Sequence, residues 1–229
     1  MKTLLAFPFV PLRGARALRE RPRWLLPFLT LAMLHVVLLI VAEQQTITAM
    51  VDHLPPSATA ADREEAASVF SATLLARSLF EPVRLLAGWS AFAGALFLII
   101  RSLSPAGPVT YVRVLTLEVH AEAVLLIGGA ATALHAMLTP AGGGDMPRIP
   151  LMSLAPLLPV SASPAVVALL ATLNIFTLWY VVLLAAGIRV LFGMTVRTAA
   201  LVAVSAWALS VLFDTAILTL LINTLHFRV

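Results

Sequence analysis

Five continuously apolar runs alternate with short connections rich in arginine or proline. They are Leu25–Ala42, Val83–Ile100, about Val114 to Leu138, about Pro164 to Val190 and about Ala199 to Leu221. Roughly 20 apolar residues cross the about 30 Å of a bilayer core as a helix. Lipid offers no partner to free backbone groups, and the runs do not alternate in polarity, so helices rather than barrel strands are predicted. The expected fold is all-α: a polytopic membrane protein, a bundle of five transmembrane helices with short interfacial helices.

The connections carry their own pattern. Residues 13–22 read as a short basic helix on the membrane surface, ending at Pro22. From Asp62 the chain is amphipathic, with Val69, Phe70, Leu74, Leu75 and Leu79 apolar, which predicts an interfacial helix on the other leaflet. Pro82 then suits the first turn of the second span. Residues 139–164, with Gly142–Gly144 and six prolines, predict a loop with a short surface helix at Leu151–Leu158. No internal repeat is visible. The organisation expected is a basic N-terminal segment, 1–23, with its interfacial helix, followed by one five-helix domain, 24–229. Its spans are placed at about 25–42, 83–100, 114–138, 164–190 and 199–221.

Composition agrees: 61% of the 229 residues are hydrophobic and 11% charged, too little polar surface for solution. Charge sets an expected orientation. Lys2, Arg13, Arg16, Arg19, Arg21, Arg23, Arg101, Arg113, Arg189 and Arg197 fall on one side of the five crossings. Glu43, Asp52, Asp62, Glu64, Glu65 and Asp145 fall on the other, with Arg63, Arg77, Arg84, Arg148 and Arg228. The positive-inside rule places the N-terminus in the cytoplasm and the C-terminus outside. The net charge of +4 is explained by these helix-end arginines, so nucleic acid is not an expected partner. With no cysteine, thiolate metal sites, disulfides and cysteine nucleophiles are excluded. The first apolar stretch, Leu4–Leu12, is interrupted by Pro8 and Pro11 and no small-residue cleavage site follows the first span, so that span is expected to stay as an anchor.

Small residues recur at packing spacing: Ala87, Ala91 and Ala95; Gly129 and Ala133; Ala199 and Ala203. Trp89, Trp179 and Trp207 lie about 15–18 Å from the arginine end of their helices, too deep for an interfacial belt, and are expected to pack between helices. Polar residues inside spans are where function is sought. Glu122 lies about 13 Å from that end and His35 about 18 Å, so the two could meet. Glu118 shares a face with Glu122, and both are expected to pair with Arg13–Arg23 or with His35 as structural or docking groups. Arg84, Asn174 and Asp214 lie about 22–26 Å from the same end, a candidate buried cluster with an Arg84–Asp214 ion pair. His120 points away from Glu118 and Glu122, and His135 is about 22 Å further along, so one helix cannot gather three metal ligands. No HExxH, GxSxG or Walker loop is present. No catalytic residue, cofactor or metal is assigned.

One stretch carries a family resemblance. Asn174-Ile-Phe-Thr-Leu-Trp-Tyr-Val-Val-Leu-Leu-Ala-Ala-Gly-Ile188 followed by Gly193-Met-Thr-Val-Arg-Thr-Ala199 resembles helices 4 and 5 of the bacterial branch of the Yip family (Ypt/Rab-interacting proteins). Phe176, Trp179, Gly187 and Gly193 carry that signature. Arg19-Glu-Arg-Pro-Arg-Trp-Leu-Leu-Pro27 resembles the entry to the family's first span, and Thr110-Tyr-Val-Arg-Val-Leu115 with Val119-His-Ala121 the entry to its third. The resemblance implies a five-span bundle with a cytoplasmic N-terminus and brings no catalytic residues. The family's Asp-Leu-Tyr-Gly-Pro motif is absent, so a Rab-related role is not carried over. What it implies is a non-enzymatic accessory protein of the bacterial inner membrane. Such a protein binds another membrane protein, with ABC exporter components or an envelope-maintenance assembly as candidate partners. The alternatives are a small permease or lipid-handling protein using Glu122 and His35, and a membrane-embedded hydrolase. Partner identity and oligomeric state are left open.

Overall fold

The computed structural model describes residues 2–52, 54–55, 57–103, 109–138, 152–159 and 162–226, with backbone alone at 2, 45–46, 48–50, 52, 136, 164–165 and 214–226. Among them there is helix and no strand. The order is α1 (Lys2–Ala6), α2 (Pro11–Glu20), α3 (Leu25–Asp52), α4 (Ala60–Leu103), α5 (Tyr111–Leu138), a 3-10 turn (Ala155–Leu157), α6 (Pro164–Thr172), α7 (Ile175–Phe192) and α8 (Val196–His226). Five of these, α3, α4, α5, α7 and α8, are long and apolar enough to cross a membrane.

Helix α5 is the centre of the bundle. Of its apolar window 67% is buried, against at most 39% for any other span, and α2, α3, α4 and α7 all pack on it. Its neighbours instead present leucine and valine outward, among them Leu25, Leu26, Leu29, Met33 and Val37 of α3 and Leu201, Val204, Leu209 and Leu212 of α8. Lipid solvates such a face as well as protein does, so outward apolar residues cost nothing there. Neighbouring spans run antiparallel, since Glu43 pairs with Arg77 across α3 and α4 and Tyr111 Oη donates to the Ser90 carbonyl (3.0 Å) across α5 and α4. This gathers Arg23, Arg101, Arg113, Arg189 and Arg197 at one end, here termed the basic end; the other is the far end.

Three features differ from the pattern read along the chain. Helix α4 runs 44 residues, about 66 Å, with Pro82 inside it rather than at a start. It begins in a reciprocal cap, Thr59 N donating to Asp62 Oδ2 (2.7 Å) and Asp62 N to Thr59 Oγ1 (3.2 Å). Proline removes one backbone bond there. The flanking turns stay helical because α3 runs alongside: Leu74, Ser78 and Glu81 are buried, Arg77 pairs with Glu43, and Arg63 donates to the Val51 carbonyl (3.4 Å).

The fourth apolar run is two helices. Asn174 is extended (φ −135°, ψ 168°), and its Oδ1 accepts from Thr177 N (2.9 Å) while its Nδ2 donates to the Ala171 carbonyl (3.2 Å). One side chain thus caps the start of α7 and the end of α6, so the break leaves few orphan groups in an apolar setting. Helix α7 closes on Gly193 in the left-handed region (φ 69°), which glycine adopts without a Cβ clash, and α8 packs back on α7.

The N-terminal segment differs most. Helix α2 exists where a basic helix was expected, but it stands against α7 and α5 with Gly14, Ala15 and Leu18 buried. The turn before it reaches into the bundle: Phe7 is fully buried, and the indole Nε1 of Trp179 donates to the Pro8 carbonyl (3.1 Å). Irregular backbone at membrane depth is tolerated where protein satisfies it. Here Phe7 N reaches the Thr3 carbonyl (2.8 Å), Val10 N the Ala6 carbonyl (2.8 Å), and Trp179 serves Pro8.

Candidate functional site

Helix α5 carries a carboxylate, Glu118, and an imidazole, His120, into the tightest part of the core, with Glu122 half-buried one turn on. Glu118 is 1% exposed and His120 is 2% exposed. Tyr180, one helix away on α7, donates its hydroxyl to Glu118, lying 2.9 Å from each carboxylate oxygen. Glu122 stands one turn further along the same face of α5.

A second polar group lies on α4, at Arg84. Its Nε and Nη2 donate to the two oxygens of Glu81 (2.7 and 2.6 Å), a bidentate pair one turn apart with Glu81 buried and Arg84 exposed. His35 of α3 packs edge-on to Trp89 of α4, with ring centroids 5.9 Å apart. The bond between Tyr180 and Glu118 ties α7 to α5, where either group stranded in a low dielectric would be costly.

His120 belongs to the opposite face of α5. Its Nδ1 lies 2.7 Å from the Thr116 carbonyl, and Phe7 meets the ring edge-on with centroids 6.4 Å apart. The arm that delivers Phe7 is held by Trp179, which bonds Pro8 and packs against Phe9 (5.8 Å). Gly14 of α2 lies under Phe7, where a Cβ would stand 2.7 Å from the ring.

The expected site residues are distributed as follows. Glu118 and Glu122 come together, with Tyr180 rather than an arginine of 13–23 as the partner of Glu118. His35 Nδ1 instead lies 3.0 Å from the Leu31 carbonyl. Of the outer cluster, Arg84 bonds Glu81 and Asn174 serves as a double cap. The Asp214 side chain lies outside the described residues, and so does any Arg84–Asp214 contact. The signature residues acquire physical reasons. The Phe176 ring lies on Gly128 of α5, and Gly187 has no side chain because Leu117 of α5 fills that space. Trp179 holds the arm, and Gly193 makes the turn.

Tyr180, Glu81, Phe7 and Pro8 are the residues sequence reasoning missed. Depth would have found the first: Tyr180 is nine residues from Arg189, about 14 Å, matching Glu122. Of the three small-residue rows, Ala199 and Ala203 are buried at an interface, whereas Ala87, Ala91 and Ala95 face outward. On α4 the inward stripe is Leu85, Trp89, Ala93, Leu96 and Ile100. Trp179 and Trp207 also pack against the core. Among the described residues no three metal-ligand side chains converge.

Two cavities open between helices towards the far end. One, of about 500 Å³, lies between α3 and α4 and is lined by Ile40, Gln44, Ile47, Ser71, Leu74 and Ser78. The other, of about 290 Å³, lies between α3, α5 and α7 beside Gly128, Thr132, Asn174 and Phe176. Neither is lined by an ionisable side chain.

Compared with known proteins, the chain matches the family model for the Yip1 domain over residues 5–218. No curated protein and no solved structure matches it.

Proposed function

The chain belongs to the Yip1 domain family, and from that premise we propose that it is a non-enzymatic accessory protein that acts by binding another membrane protein within the bilayer. The observation that carries this reading is the state of the buried ionisable groups. Glu118, Glu81 and His120 each have a protein partner, and neither cavity reaches Glu118, Glu122 or His35. A transport route would bring water or substrate to such groups. The favoured setting is a bacterial inner membrane, with the basic end cytoplasmic by the charge rule. The favoured partner is an ABC-type exporter or an envelope-maintenance assembly.

The test pairs capture with flux. Crosslinking in the membrane followed by purification in mild detergent is expected to yield a stoichiometric membrane-protein partner, and proteoliposomes of the purified chain no flux. The double change Glu118→Gln with Glu122→Gln is expected to weaken that partner complex. Proton-coupled flux in the purified wild type, abolished by Glu122→Gln, would make the protein a transporter and overturn the accessory reading.

A further inference from the structure

We propose that the arginine face of α2 binds the phosphate groups of anionic phospholipids in the leaflet at the basic end. The face is defined by burial. Gly14, Ala15 and Leu18 point into the bundle, while Arg13, Arg16 and Arg19 are exposed on the other side.

Depth makes these arginines unlike ordinary helix-end charges. The Pro8 carbonyl is bonded by Trp179, ten residues from Arg189 and so about 15 Å from the basic end. Helix α2, whose ten residues lead from that turn back to Glu20, is itself about 15 Å long. Helix α2 therefore stands nearly along α7 and descends into the leaflet. Arg13 is seven residues before Glu20, about 10 Å deeper, and Arg16 is about 6 Å deeper.

A guanidinium does not shed its charge at that depth. Among the described residues no carboxylate comes within ion-pair distance of Arg13, Arg16 or Arg19. The counter-charge must come from outside the chain. The face looks away from the bundle, towards lipid. Long arginine side chains extend towards the headgroups, where the phosphodiester oxygens accept paired N–H bonds. The spacing i, i+3, i+6 staggers the three heads in depth, which suits phosphates drawn down along the helix rather than one docked at its end. Net-anionic headgroups are favoured over zwitterionic ones because the three arginines outnumber the one acid of this helix, Glu20.

The experiment uses the purified full chain in mild detergent, titrated with phosphatidylglycerol or phosphatidylcholine, with lipid adducts counted by native mass spectrometry. The wild type is expected to retain phosphatidylglycerol preferentially. Arg13→Gln, Arg16→Gln and Arg19→Gln together are expected to weaken that retention on the order of 100-fold, the factor for three charges at about 1 kcal/mol each. The corresponding triple Arg→Lys variant is expected to keep most of it, which separates lost charge from lost folding. An unchanged preference for phosphatidylglycerol in the Gln variant, with helix content intact, would overturn the proposal. So would a soluble polyglutamate that outcompetes phosphatidylglycerol at these arginines, which would point to an acidic protein partner.

Discussion

Removing the Tyr180 hydroxyl isolates the junction between α5 and α7. In Tyr180→Phe the ring still fills its place, and only the donor to Glu118 is lost. That donor lies 2.9 Å from both oxygens of a carboxyl group that is 1% exposed, so water has no access to replace it. A buried acceptor left unmatched costs about 1–3 kcal/mol, more if charged. Side-chain bonds between membrane helices average about 0.6 kcal/mol and reach about 1.7. Full burial and the shared acceptor place this one near the upper figure, so a loss of about 1.5–2 kcal/mol is expected. The sign of the double change is the sharper test. Glu118→Leu alone strands the Tyr180 hydroxyl, whereas Glu118→Leu with Tyr180→Phe removes both polar groups together and is expected to recover part of the loss. The assay is reversible unfolding in mixed micelles across the four-member cycle. A coupling energy below about 0.3 kcal/mol, the scatter of such cycles for unlinked sites, would refute the bond as a structural lock.

Trp179→Phe leaves the Pro8 carbonyl without its donor; a cysteine introduced at Val10 should then react several-fold faster with a membrane-permeant thiol reagent, and an unchanged rate would count against the arm being held there. Gly187→Ala drives a Cβ into the buried Leu117 side chain and is expected to cost about 1–3 kcal/mol in the same unfolding assay, with partial rescue by Leu117→Ala; neutrality of the single change would contradict the close approach of α5 and α7. Asn174→Ala removes both caps at the α6–α7 break and should cost about 0.5–2 kcal/mol, whereas a gain in stability would mean that a continuous helix is preferred there. A C-terminal alkaline phosphatase fusion should be active and a fluorescent protein fusion dark if the basic end is cytoplasmic; the reverse pattern would invert the orientation.

The number of spans and their all-helical character were legible because a bilayer imposes a length and forbids unpaired backbone. Facing was less so. On a soluble helix the polar side marks what points outward, but lipid removes that contrast. The row Ala87, Ala91 and Ala95 therefore has the spacing of an interface while facing away from the bundle. Helix ends inside long apolar runs were legible only at the level of single residues. Asn174 is the natural cap of α7, and its meaning is visible once Thr177 is seen three residues on. Continuity through Pro82 was not legible, because it depends on α3 lying alongside. The buried polar pair was half legible: helix periodicity put Glu118 and Glu122 on one face, and depth arithmetic was never extended to Tyr180, which supplies the partner. The arm was hidden for a different reason. A stretch broken by Pro8 and Pro11 looks unable to enter a membrane, and its missing partner is supplied by a tryptophan far away in the chain.

That distance has a consequence for biosynthesis. The Pro8 carbonyl and the Trp179 indole are separated by 171 positions, so the arm, made earlier in synthesis, closes its contact only after α7 has been made. At about 5–20 residues per second the arm waits on the order of 10–30 s. During that time Phe7 and the apolar side of α2 have no bundle to enter and must be sheltered at the membrane surface or by the insertion machinery. A nascent chain arrested before α7 cannot seat the arm, however well α3, α4 and α5 have inserted. Docking of residues 2–20 thus reports that α7 is in place, and a protease acting on an unseated arm would discriminate chains that have made α7 from those that have not.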